Sequence, residues 1–148
     1  MYHSSDYFMN KIETEPHQAR ALGKNMPISW KDATEIGRFI KGDTTEKAEN
    51  KLEKVIEKEL PVPMTKFDSD AGHKSGSGDS GKFPVKAAEH ILELVQEAQA
   101  NAEHQGLNTG ALHIDNVITN QGTEYATPGR FRGEKTKAAH VNIIVGEK

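Results

Sequence analysis

The chain has no cysteine, so it can build neither a disulfide framework nor a thiolate metal site. It also lacks any window approaching the roughly 18 consecutive apolar residues of a membrane span. Its start, Met1 to Met9, shows no basic flank followed by an apolar run, so no secretory leader is expected and a cytoplasmic location is. Hydrophobic residues make up only 34% and the mean hydropathy is −0.71, so the chain either exposes much of its length or leans on a partner for part of its burial. An overall basic excess is missing as well. The formal net charge of −3 argues against a uniformly basic nucleic-acid binder but leaves room for a local basic face, because phosphate contacts need charge only where the phosphates lie. At 148 residues the chain suits one domain with a modest core.

What is present is a run of capped periodic segments. Residues 1–18 read as a loose N-terminal arm and 19–148 as one globular domain, with 19–26 as an edge strand. Ser29 as N-cap, with Asp32 three residues on, opens a helix over about 30–41 that carries Ala33, Ile36, Gly37 and Ile40, and Gly42 supplies a left-handed stop. Asp43 with Glu46 reads as the capping pair of a second helix with Ala48, Leu52, Val55 and Ile56 on one face, ended by Pro61 and Pro63. Its Glu and Lys residues form a solvated face. A polar loop over 61–82 follows. Pro84 then stands at the first-turn position of the longest helix, about 84–105, whose stripe of Ala87, Ala88, Ile91, Val95, Ala98 and Ala102 marks it as the spine of the core, with Gly106 as its stop. Two strands close the chain, 111–119 and 139–145. Leu112, Ile114, Val141, Ile143 and Val145 point inward, and the last strand has the alternation of a half-buried one.

Three leads to chemistry fade on inspection. Gly76 to Phe83 matches the G-x-x-x-x-G-K part of a phosphate loop, but Phe83 stands where a Ser or Thr hydroxyl must hold Mg²⁺, and no buried strand precedes it. A milder reading keeps its glycines, His73, Lys74 and Lys82 as phosphate contacts, with the N-terminus of the long helix favouring an anion. The seven histidines show no ligand spacing such as H-x-x-x-H, so no metal site is expected. No serine sits in a G-x-S-x-G elbow, so no catalytic residue is assigned.

What remains is the segment 120–138, too long for a tight turn and without an apolar run. From Arg130 to Lys137 it gathers Arg130, Arg132, Lys135 and Lys137 against one acid, Glu134, with Phe131 between the arginines and Gly129 and Gly133 beside them. One reading is a surface loop charged for solubility. The other is a β-extension that threads into RNA, its guanidinium groups gripping phosphate or stacking on bases and its aromatic stacking too.

Taken together, the stretches 28–42, 48–63, 72–74, 81–88, 100–107 and 140–145 resemble the large-subunit ribosomal protein L-twenty-two family in its archaeal and eukaryotic-type form, with the likeness covering about 19–147. The resemblance implies an α+β fold: three helices packed on a small three-stranded antiparallel sheet, from which a long β-hairpin protrudes at about 118–140. It implies a structural, rRNA-binding role in the large subunit, without catalysis or cofactor. The globular part would sit near the peptide exit and the hairpin would line the tunnel. Partners would be large-subunit rRNA, neighbouring large-subunit proteins and, at the tip, the nascent peptide. Arg130, Phe131 and Arg132 fall near the tip and Lys135 and Lys137 on the return strand. His73, Lys74, Lys82 and Lys86 fall in the segment that meets RNA in the archaeal branch, with Lys24 and Lys31 at the N-terminal edge. Two departures stand out. The tip reads Pro128 to Gly133 with its glycines and arginines rearranged, so only the region's role carries over. The chain is also acidic where most members are basic, which is ascribed to acidic outer faces on the second and third helices. An off-ribosome RNA-binding or assembly factor with the same fold is the alternative.

Overall fold

A computed structural model of the chain describes residues 15–66, 72, 81–122, 125–126 and 135–147. Three strands form an antiparallel sheet in the order β1 (Gln18–Met26), β7 (Ala139–Glu147), β4 (Leu112–Gln121). Three helices, α1 (Trp30–Ile40), α2 (Thr45–Ile56) and α3 (Val85–His104), complete an α+β fold. The helix sides of the strands match across the sheet. Ala19 and Ala21 of β1 pair with Val145 and Ile143, and Ile114, Val117 and Thr119 of β4 pair with Val145, Ile143 and Val141.

The first helix forms as its periodicity dictates, with Ala33, Ile36, Gly37 and Ile40 buried. Ser29 is its N-cap in extended conformation, but its hydroxyl makes no capping bond. Gly42 takes φ +87°, and its N–H donates to Ile114 O at 2.9 Å, so the helix ends by plugging into the edge of β4. Ile114 N–H in turn donates to Asp43 O at 2.8 Å. That pairing holds Asp43 outside α2 and corrects the expected cap. Thr44 is the N-cap, its hydroxyl accepting from Lys47 N at 3.2 Å, while the Asp43 carboxylate pairs with Lys51 at 2.6 Å. Pro84 is also displaced by one position. It is the N-cap of α3, in a tight turn where Val85 N–H donates to Phe83 O at 2.8 Å.

The long helix, expected as the spine of the core, shares the backing of the sheet with α1. It lies against β1 and β7, whereas β4 is backed by α1, and Gly37 makes that approach possible: a Cβ there would meet Val117 Cγ1 at 2.9 Å. The last strand is not half-buried. Being central, it is covered on both sides, with His140, Asn142 and Ile144 buried along with Val141 and Ile143. A bulge between Ile114 and Asn116 resets the alternation of β4, so Val117 faces the helices alongside Ile114.

The 61–82 segment, expected as loop, contains a short ribbon of β2 (Val62–Pro63) with β3 (Gly81–Lys82). Gly81 and Lys82 are thus a strand leading to a turn, not the opening of a helix as a phosphate loop requires; residues 76–80 lie outside the described residues. The hairpin begins where β4 and β7 pair, from Leu112↔Glu147 to Gln121↔Ala139. It runs on through β5 (Tyr125–Ala126) paired with β6 (Lys135–Thr136). Its tip, 127–134, and most of the N-terminal arm, 1–14, lie outside the described residues.

Candidate nucleic-acid interface

The root of the hairpin is where the N-termini of α1 and α3 come together. Pro27 and Ile28 turn the chain from β1 into α1, and the Phe83–Pro84 turn does the same for α3. Two adjoining clefts result, sharing Ser29 and Lys137. One, about 480 Å³, is lined by Ser29, Asp32, Val85, Lys86 and Lys137 among others. The other, about 360 Å³, is lined by Ser29, Trp30, Lys31, Gln121, Lys137 and Ala138. Lys31, Lys86 and Lys137 are all exposed.

Neither helix start is capped by a side chain, and α3 has no acid in its first turn. The positive ends of the two helix dipoles therefore face the same region as the three lysines. That combination accepts anionic oxygen from phosphate. Asp32, in the first turn of α1, tempers it on one wall.

The opposite end of α3 has the reverse character. A further cleft, about 580 Å³, is lined by Thr44, Glu46, Glu49, Gln96, Gln99 and Glu103 among others. There the Glu49 carboxyl is pushed above its ordinary range, first by burial and then by Glu53 and Glu46 nearby. Its Oε1 is shielded and has no hydrogen-bond donor. Lys86 and Gln99 are thirteen residues apart on α3, roughly 20 Å along the helix axis. Three glutamates, Glu46, Glu49 and Glu103, thus line an α2–α3 cleft far along α3 from Lys86.

Of the residues expected to touch RNA, the structure joins Lys31, Lys86 and Lys137. Lys24 is exposed on β1 near Met26, which pairs with Ala139, so it lies at the same end of the sheet but lines neither cleft. Lys82 is half-buried in β3 opposite Val62 and also lines neither. Lys135 is placed by its backbone in β6, opposite Ala126. His73, Lys74, Arg130, Phe131 and Arg132 lie outside the described residues. Among the described residues no cluster of His, Asp or Glu could hold a metal ion.

Sequence reasoning missed three members of this region. Ser29 was read only as a cap, while Trp30 and Gln121 were given no part in binding. The signal available was an aromatic followed by lysine in the first turn after a Ser cap, a place where a core residue is not required. Glu35 was also missed, because glutamates on a helix are ordinarily solvated. It is 1% exposed, and its carboxylate accepts from Thr65 N at 3.0 Å, Thr65 Oγ1 at 3.0 Å and Lys66 N at 2.9 Å. This clamp fixes the exit from β2, the segment that leads toward His73 and Lys74.

Residues 21–146 match the family model described as ribosomal protein L22p/L17e. The chain is 38% identical over 145 residues to the large ribosomal subunit protein uL22 of Methanocaldococcus jannaschii, covering 93% of each chain. It is 36% identical to that of Methanococcus aeolicus, over 93% of this chain and 95% of the relative. It is 34% identical to that of Ignicoccus hospitalis, over 95% and 96%.

Proposed function

The chain belongs to the ribosomal protein L22p/L17e family, and on that premise we propose that it is a structural constituent of the large ribosomal subunit that binds large-subunit rRNA. On this reading residues 19–148 act as one unit preceded by an arm. The globular part sits near the peptide exit, and the hairpin of about 118–140 runs inward with its tip lining the tunnel. Its partners are the rRNA, neighbouring large-subunit proteins and the nascent peptide at the tip. It works in the cytoplasm, on the ribosome, without catalysis or cofactor. No described helix is long and apolar enough to cross a membrane.

The observation that carries the reading is the meeting of Lys31, Lys86 and Lys137 with two uncapped helix starts at the hairpin root. A phosphate backbone lying along that root gains several charge-assisted contacts at once. On the family resemblance, Arg130, Phe131, Arg132 and Lys135 of the hairpin segment, with His73, Lys74, Lys82 and Lys24, are further RNA contacts.

Sedimentation of cell extracts tests the reading. The protein is expected to run with large subunits at about one copy per particle. Recovery only in free or substoichiometric fractions would overturn the structural role and favour an off-ribosome RNA-binding or assembly factor.

A further inference from the structure

We propose that the cleft lined by Ser29, Trp30, Lys31, Gln121, Lys137 and Ala138 is a seat for one unstacked nucleobase. The inference rests on the RNA-binding reading above and deepens it. It assigns to the hairpin root recognition of a base as well as of phosphate.

The lining has the parts such a seat needs. Trp30 is half-buried: it packs against the hydrophobic core and also forms a wall of the cleft. An indole held this way is a rigid stacking platform that loses little freedom on binding. Gln121, at the end of β4, carries a carboxamide with both donor and acceptor atoms, which suits the edge of a base. Ser29 adds a hydroxyl that the helix itself does not use for capping. Lys31 and Lys137 stand among the lining residues, where the phosphates on either side of an extruded base would lie. The volume of about 360 Å³ falls within the roughly 300–1,000 Å³ of clefts that hold small organic groups.

The other clefts do not share this set. The acidic cleft of about 580 Å³ has no aromatic, lysine or arginine. The neighbouring cleft of about 480 Å³ has lysines but no aromatic. The smallest, about 240 Å³, pairs Phe39 and Arg38 with the buried Glu35 carboxylate. Bases inside an RNA duplex are stacked and out of reach, so the RNA element recognised here is a bulge, loop or single-stranded junction.

Trp30 is the chain's one tryptophan, so its emission reports on this cleft. The full-length protein is titrated with deproteinised large-subunit rRNA while emission is followed. The saturated complex is then irradiated and the crosslinked peptide identified. The expected result is quenching that tracks binding, and a nucleotide crosslink at Trp30. Trp30→Leu is expected to weaken binding about tenfold, within the range for loss of one base–aromatic stack, with no change in salt dependence because no charge is removed. Trp30→Phe keeps a stacking face and is expected to retain most of the affinity. Unchanged emission at saturation, with crosslinks only elsewhere, overturns the nucleobase seat and leaves RNA binding standing. No binding of the unaltered protein overturns both. The emission and crosslink readings need no variant, so they decide the matter even if Trp30→Leu fails to fold.

Discussion

Replacing Glu35 by alanine should unfold the protein more readily than any exposed glutamate change, and by an amount the geometry bounds. The carboxylate is 1% exposed and accepts three hydrogen bonds, two from Thr65 and one from Lys66 N–H. Hydrogen bonds to a charged group contribute roughly 1.5–3 kcal/mol each net of desolvation, and three that share one carboxylate do not add in full. Thr65 and Lys66 are themselves exposed, so their freed N–H groups can turn to water and the orphan penalty is small. The net loss is about 2–4 kcal/mol, which for a chain of 148 residues lowers the midpoint by about 5–15 °C. Glu35→Gln preserves shape but offers an amide NH₂ where an N–H already points, so it should lose about half as much or more. Thermal and urea melts give the magnitude. Hydrogen exchange gives the location: the Thr65 and Lys66 amides should lose protection before the sheet does. A Glu35→Gln variant within about 0.5 kcal/mol of the parent, with those amides still protected, would refute the argument that the charged acceptor holds the exit from β2.

Other expectations follow from single contacts. Gly37→Ala gains helix propensity of about 1 kcal/mol but forces a Cβ against the stiff Val117 side chain, an overpacking cost of about 1–3 kcal/mol. The net loss of about 1 kcal/mol should be relieved in part by adding Val117→Ala, and absence of coupling in that double-mutant cycle would contradict the close approach. Glu49 binds its proton more tightly in the folded state, because burial and then Glu53 and Glu46 raise its pKa above the ordinary 4.5. Its contribution is therefore fully present below that value and is lost as pH rises through the window up to the raised pKa. Glu49→Gln should melt higher than the parent at neutral pH, with the difference vanishing below about pH 4; an advantage that persists in acid would exclude this cause. Changing Lys31, Lys86 or Lys137 to Gln should each reduce the slope of log affinity for rRNA against log salt by about one, and an unchanged slope removes that lysine from the interface.

The placement of charge connects these results to function. One helix, α3, presents its N-terminus to one of the basic clefts and its later turns to the acidic one. A net negative chain can therefore offer phosphate a positive face, with the two characters separated by roughly 20 Å, beyond the screening length of about 8–10 Å at physiological salt.

The sequence by itself determined the local elements. The apolar spacing of Ala33, Ile36 and Ile40, the alanine stripe of α3 and the stops at Gly42 and Gly106 are written in neighbours a few residues apart, and helices respond to neighbours. The alternation of Val141, Ile143 and Val145 likewise fixed one face of β7. The tertiary structure decided what depends on partners distant in the chain. Asp43 yielded the cap to Thr44 because Ile114 accepts from Gly42 N–H and donates to the Asp43 carbonyl. Glu35 is buried because Thr65 and Lys66 arrive to bind it. The site at the hairpin root draws on 29–31, 84–87, 121 and 137–138, segments brought together by the register of β4 on β7 and by the turns that start α1 and α3. A periodic pattern can state which side of each element is apolar. It cannot state which elements meet, because that choice is made by the summed burial of the whole core and not by any one segment.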